Sequence, residues 1–209
     1  MALLALLLGA PLLGGCVKSS TLYGAPAGDL HGKPVLLLEP SPLAPTRPEL
    51  HQHVVETIEA ALAASPEFGP ITRREQMHDR RDLPLSVLDA YSLFSNTLSL
   101  AGVADPDLAS RLAKGVQVDL LMVAQPAYLP CPICDEGDEL WLVGQVVNAH
   151  TGRMVFRDHL RVAARGNEPD YLRGLSDDLV REYLTDLTRA FHLRAHRQRF
   201  QNLKRPATS

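Results

Sequence analysis

Apolar residues recur at helical spacing at Leu50, Val54, Ile58 and Leu62, which predicts a helix ending near Ala64 with one buried stripe. Ahead of it, Val35 to Leu38 form an unbroken apolar run closed by prolines, the pattern of a strand covered on both faces. Between the two, Thr46-Arg47-Pro48-Glu49 has the form of a capping box. The Thr hydroxyl and the Glu carboxylate are placed to satisfy the first orphan amides of the helix. Phe68 to Thr72 predicts a short second strand, and Leu85, Leu88, Leu93 and Leu98 mark a helix from Leu85 to Ala101, stopped by Gly102.

Asp105-Pro106-Asp107-Leu108 is a second helix start, and the brief helix it opens runs through Leu112 and out at Gly115. Val118 to Ala124 is then a hydrophobic strand. Leu140 to Val147 and Met154 to Val162 predict a hairpin joined through Asn148-Ala149-His150-Thr151-Gly152. Leu140, Leu142, Gly144 and Val146 share one face of its first strand. In the second strand Met154, Phe156, Leu160 and Val162 share a face, opposed by Val155, Arg157, His159 and Arg161 on a largely wet side. Leu172, Leu175, Leu179, Tyr183, Leu187 and Phe191 describe a long amphipathic helix that closes over the sheet.

The expected fold class is therefore α/β, a mixed β-sheet of about four to five strands packed against helices, including the long C-terminal amphipathic helix. The order of elements, with RLAKGVQVDLLMVAQP and WLVGQVVNAHTGRMVFRDHLRV, resembles a domain found in three bacterial families. These are the penicillin-binding-protein activator lipoproteins, the curli secretion lipoprotein and the N-terminal domain of the Tol translocation protein. The resemblance covers residues 33–195 and describes a fold, not a site. It implies a protein partner in peptidoglycan synthesis or secretion.

The chain opens with MALLALLLGAPLLGGC, apolar from Ala2 to Leu13 and without charge before Lys18. A transmembrane helix needs about 20 apolar residues, whereas the core of a signal peptide needs only about 7 to 15. This run has the second length, and Leu13-Gly14-Gly15-Cys16 resembles the lipobox of bacterial lipoproteins. That resemblance implies diacylglycerol on the Cys16 sulfur, cleavage before Cys16 and a further acyl chain on the new amine. The expected organisation is a signal peptide at 1–15, a lipidated flexible tether at 16–33, a single α/β domain at 34–195 and a basic flexible tail at 196–209. The expected address is the bacterial cell envelope, at the outer membrane facing the periplasm.

Composition narrows the function classes. The chain has 209 residues with 45% hydrophobic and 22% charged, enough for a real core. A formal net charge of -3 gives no global basic footprint for nucleic acid, and aromatics at 5% disfavour base-stacking or carbohydrate platforms. No nucleic acid and no cofactor is expected.

The sharpest local feature is Cys131-Pro132-Ile133-Cys134. An exported chain meets an oxidising compartment, where paired thiols close, so Cys131 and Cys134 are expected to form a disulfide. The acidic DEGDE segment that follows opposes thiol-redox catalysis, because negative charge raises thiol pKa. It also lacks the spacing of a calcium loop and is expected as a solvated hairpin tip. Zinc needs four ligands, and His150 and His159 stand without a second cysteine pair, so no metal is expected.

His51 and His53 are expected as surface histidines, since an i, i+2 pair on a helix cannot chelate. Arg73-Arg74 and Arg80-Arg81, among Glu75, Asp79 and Asp82, are expected in a solvated mixed-charge loop. Arg157, His159 and Arg161 form the candidate partner surface, with Arg194, Arg197, Arg199, Lys204 and Arg205 adding charge in the tail. No phosphate loop, nucleophile elbow or other catalytic constellation is present in the sequence, so no catalytic residue is assigned. The expectation is a non-enzymatic, membrane-tethered module that binds an envelope protein, with homo-oligomerisation left open. An envelope hydrolase or thiol-redox enzyme with an assembled site is the alternative.

Overall fold

The apolar run Val35 to Leu38 is buried residue by residue, because its strand is covered on both faces. The computed structural model describes residues 18–19, 22–23, 32–40, 46–80, 82–131, 133 and 137–203, with side chains described outside 18–19, 22–23 and 191–203. In chain order the elements are β1 (Lys18–Ser19), β2 (Leu22–Tyr23), β3 (Lys33–Leu38), α1 (Pro48–Ala64), β4 (Phe68–Thr72), α2 (Arg74–Asp79) and α3 (Leu85–Ala101). They continue with α4 (Pro106–Leu112), a π-helical turn at Ala113–Gln117, β5 (Leu120–Leu129), β6 (Asp138–Asn148), β7 (Met154–Ala164) and α5 (Pro169–Leu203).

The sheet order is β1-β7-β6-β5-β3-β4, with β2 also on β7. β3 runs parallel to both β4 and β5, whereas β5, β6 and β7 form an antiparallel meander. The five long strands thus make the mixed sheet that the pattern predicts. Strand alternation sends Val35, Leu37, Leu120, Met122, Leu142 and Leu160 to one face, under α1 and α5. Leu36, Leu38, Leu121 and Val123 point to the other face, under α2, α3 and α4. The result is three layers with two cores.

Several local expectations are corrected. Arg47, not Thr46, stands at the N-cap of α1, and no side chain caps the helix. Thr46 instead accepts the Tyr128 amide at 3.1 Å and donates to the Pro126 carbonyl at 3.4 Å, so a β-strand wins the hydroxyl from the helix. Asp105 does cap α4, accepting from the amides of Asp107 and Leu108. That helix ends at Leu112 as expected, and the π-helical turn after it carries the chain past Gly115 to Gln117, where the positive φ falls. Gly115 has another use: a Cβ there would lie 2.6 Å from Val87 Cγ2, so the missing side chain lets this turn approach α3.

A register shift between Val146 and Val147 leaves Val155 as an extra residue of β7. Val155 and Phe156 consequently both enter the α1/α5 core, and Met154 packs in the other. The strict alternation expected for Met154 and Val155 is broken by this bulge.

Residues 16–33 were expected as a flexible tether, yet Lys18 and Ser19 pair with Arg161 and Leu160, and Leu22 and Tyr23 with Arg157 and Phe156. The reason is the free outer edge of β7, which presents backbone groups that another strand satisfies. At the other terminus, 196–203 are helical as part of α5 and not a flexible tail. The signal segment 1–15, Cys16 and residues 204–209 lie outside the described residues.

Arg73 leaves the solvated loop expected of it. It donates through Nε to Glu39 at 3.2 Å and through Nη1 to Glu59 at 3.0 Å, with Glu75 at 3.6 Å from Nη2. Burial works against its charge, but the Glu39 hydrogen bond and the charges of Glu39, Glu59 and Glu75 outweigh it and raise its pKa. Beside it the Glu39 amide donates to the buried Tyr91 hydroxyl at 2.7 Å.

His51 is not a surface histidine either. It is buried, and neither ring nitrogen has a hydrogen-bond partner. Burial lowers its pKa. Below the ordinary histidine value the unfolded chain therefore binds a proton that the folded chain resists, and stability is lost as pH falls. His51→Leu is expected to flatten that slope between roughly pH 7 and pH 5. Urea midpoints measured across the range check it, and an unchanged slope would show that His51 does not contribute.

Candidate functional site

The second face of the β6–β7 hairpin gathers the side chains that the sequence assigns to a partner surface. Register sets Arg161 opposite Trp141, His159 opposite Val143 and Arg157 opposite Gln145. α3 reaches this face at one row: Gln145 Nε2 donates to the Leu98 carbonyl at 3.4 Å, and Gly102 lies against the Arg157 guanidinium. His159 and then Arg161 follow at two-residue steps along β7.

These three side chains are half-buried, not fully wet. The His159 ring meets the Trp141 ring edge-on, with centroids 4.4 Å apart and planes at 62°. Glu139 ties the row together, accepting from Trp141 Nε1 at 2.7 Å and from Arg161 Nη1 at 3.4 Å. Burial lowers the His159 pKa, and the Arg157 and Arg161 charges add to the effect while Asp158 opposes it. His159 is thus neutral at pH 7, and Glu139 answers the Arg161 charge. The surface is less basic than its sequence, and it offers an aromatic pair flanked by guanidinium groups. The sequence did not mark Trp141 and Glu139 as part of it, although their alternation with Val143 on β6 carried that signal.

At the nearby end of the sheet, Asp138 closes the mouth of the β5–β6 connection. Its carboxylate accepts from the Tyr128 hydroxyl and, at 2.8 Å, from the Cys131 amide. The Tyr128 hydrogen bond, then the Cys131 amide, holds the Asp138 carboxyl below the usual range. Burial and Asp138 push the Tyr128 hydroxyl up to about 12. Asp138 is therefore a clasp of the hairpin and not part of a solvated acidic tip. Cys134, Asp135 and Glu136 lie outside the described residues, so the expected pairing of Cys131 with Cys134 does too.

Two other polar clusters lie apart from this face. His53 Nε2 is 2.7 Å from Asp177 Oδ1, which also accepts from Thr57 at 3.4 Å. They line an open, mainly apolar groove of about 1020 Å³ between α1 and α5, with Val180 and Leu184. Thr57 gives its proton to Asp177 and not to His53, so this is no nucleophile–base relay.

At the turn of the β6–β7 hairpin, Asp119 takes His150 Nε2 at 2.6 Å and Lys33 Nζ at 3.4 Å. The His150 hydrogen bond, then Lys33, lowers the Asp119 pKa against the cost of burial. This cluster pins the turn to the start of β3. His150 and the row of His159 are about 16 Å apart along the strands, so the two do not meet as ligands. Among the described residues no group of three His, Cys, Asp or Glu side chains is arranged to hold a metal. Among them, too, no helix is long and apolar enough to cross a membrane.

No protein-family model and no curated protein matches the sequence. Among solved structures, the chain is similar to the PelC dodecamer from Paraburkholderia phytofirmans, at 10% identity and a TM-score of 0.48, over 81% of this chain and 95% of that one. It is similar to the hypothetical protein CT253 from Chlamydia trachomatis at 13% identity and a TM-score of 0.48, over 74% and 95%. A third similarity is to lipoprotein GNA1162 from Neisseria meningitidis, at 10% identity and a TM-score of 0.45, over 73% and 99%.

Proposed function

We propose that this chain is a bacterial envelope lipoprotein, acylated on Cys16 and non-enzymatic, whose α/β domain binds a protein of the envelope. The observation that carries the reading is Leu13-Gly14-Gly15-Cys16 at the close of a short apolar run. Two acyl chains make membrane attachment stable, whereas one is marginal. The lipid confines the domain to the outer membrane's periplasmic face, and local concentration lets a modest contact suffice.

Arg157, His159 and Arg161, with Trp141 beside them, are the contact surface in this reading. A half-buried aromatic edge next to guanidinium groups is the composition that protein interfaces favour. The resemblance in element order favours a partner in peptidoglycan synthesis or secretion. Cys131 and Cys134 pair in this compartment and hold the β5–β6 connection, a stabilisation of about 2 kcal/mol from so small a ring.

The test has two parts. Cys16→Ser is expected to leave the precursor uncleaved and free of incorporated labelled palmitate, and normal maturation of that variant defeats the acylation claim. Crosslinking of the native lipidated chain in membranes should capture one protein in stoichiometric yield, and Arg161→Glu should reduce that yield. Recovery of bulk, substoichiometric protein alone removes the support for a dedicated partner.

A further inference from the structure

α3 carries an apolar face that no other described element covers. Of the seven large apolar side chains exposed among the described residues, four belong to this helix and the turn that ends it. They are Leu85, Leu93, Leu100 and Val103, at 78%, 58%, 72% and 58% exposure. At 3.6 residues per turn, Leu85, Leu93, Asn96 and Leu100 fall within an arc of about 80°, opposite the buried stripe of Tyr91, Phe94 and Leu98. A lone exposed leucine is ordinary, but apolar side chains gathered on one face mark a contact. The same stretch is free of charge. From Ala90 to Ala104 the sequence AYSLFSNTLSLAGVA has no Asp, Glu, Lys or Arg, which a solvated helix face ordinarily carries. Two of its hydroxyls turn back on the helix, Thr97 donating to the Leu93 carbonyl at 2.8 Å and Ser99 to the Asn96 carbonyl at 3.2 Å. The exposed Asn96 amide has no hydrogen-bond partner among the described residues.

We propose that this face docks a second copy of the chain, with the two α3 helices antiparallel about a twofold axis between Asn96 and Thr97. The axis sets Leu93 of each copy against Leu100 of the other and brings the two Asn96 amides together. A closed pair needs a surface that complements itself, and this one does so in three ways. An uncharged face meets its own image without repulsion, whereas it gives a charged partner nothing to pair with. Leu93 and Leu100 exchange places under the rotation. An amide both donates and accepts, so Asn96 answers its own copy, as a polar residue in an apolar helix seam does when it fixes register. Asp89 lies on the same face, but the position opposite it is past Ala101, where the second helix has stopped, so its carboxylate stays in water. α3 has no Lys or Arg with which to seat on anionic lipid. The helices face each other over about 15 Å, a contact smaller than the roughly 800 Å² per partner of a stable dimer, so the pair forms where copies are concentrated.

Crosslinking of the full chain in intact cells with a short, membrane-permeant bismaleimide tests this, whether or not Cys16 is acylated. Asn96→Cys is expected to give a band at twice the chain mass whose crosslinked peptide joins residue 96 to residue 96. The parent chain, and Lys114→Cys on the exposed π-helical turn, should not. In the Asn96→Cys background, Leu100→Glu should cut the dimer yield by about tenfold or more, since it removes a leucine from both ends of the contact. Adding Leu93→Lys should restore the yield, because each new ammonium then faces the carboxylate of the other copy. The two positions are two turns apart within one helix, so they do not pair with each other there. Both side chains are exposed, and an unchanged melting temperature of the purified variants shows that the fold is kept. A band no stronger than the parent's overturns the proposal, as does an equal band from Lys114→Cys or a crosslink to a different protein. Failure of Leu93→Lys to rescue Leu100→Glu overturns the antiparallel pairing.

Discussion

Gly144→Ala is expected to cost about 3 kcal/mol or more, at the upper end of what overpacking a core does. A Cβ at Gly144 would stand 1.9 Å from Tyr183 Cε2 and 2.4 Å from its Cζ. The Tyr183 ring is fully buried and leans on Phe156 at 5.7 Å, so it has no room to turn aside. Relief requires α5 to lift from the centre of the sheet, and that loosens Leu179, Val180 and Leu187 as well. For a domain of this size the melting temperature should fall by roughly 6 to 12 °C. Thermal and urea unfolding of the two proteins check it, and an unchanged midpoint would show that the ring does not occupy the space above Gly144.

Two companion variants separate shape from polarity at this contact. The Tyr183 hydroxyl is buried with no hydrogen-bond partner, and burial with the nearby Asp158 charge raises its pKa, so it stays protonated. Tyr183→Phe removes that hydroxyl and keeps the ring, so it should be neutral or slightly stabilising. Gly144→Ala combined with Tyr183→Leu should cost less than the two changes summed, with a coupling on the order of 0.5 to 3 kcal/mol. Strict additivity would place the damage somewhere other than this contact.

Arg73→Met is expected to be the second large loss, about 2 to 3 kcal/mol. Removing one member of a fully buried ion pair costs about 3 to 5 kcal/mol, because the other charge is left without an answer. The value here is lower because Glu59 keeps 30% of its side-chain exposure, although Glu39 keeps only 14%. The guanidinium serves Glu39 through Nε and Glu59 through Nη1, joining the ends of β3 and β4 to α1. Arg73→Lys should recover only part of the loss, since an ammonium lacks the fork that reaches both carboxylates. Urea denaturation orders the three proteins, and equal midpoints for Lys and Arg would show that the fork geometry does not matter.

Periodicity made much of the fold legible. Leu50, Val54, Ile58 and Leu62 lie on the buried face of α1, and Asp105 caps α4, because both depend on neighbours within one or two turns. Arg157, His159 and Arg161 were placed on one face by simple alternation. What alternation does not carry is the cross-strand neighbour. The Trp141 ring against His159, and Glu139 between Trp141 and Arg161, follow from the β6–β7 register and change the charge of the surface. The Thr46 capping box failed for a related reason: its hydroxyl had a competitor some 80 residues away in β5.

The sequence by itself determined the types of the longer elements, though not of α2, β1 or β2, together with the apolar faces of α1 and of the β6–β7 hairpin and the motif at Cys16, since each is written in residues close together in the chain. Only the tertiary structure decided that Arg73 and His51 are buried, that Val155 is an extra residue in β7, and that residues expected in a tether complete the edge of the sheet. Burial and register are set by which surfaces meet, and a polar side chain carries no local mark of whether a distant strand or helix will cover it.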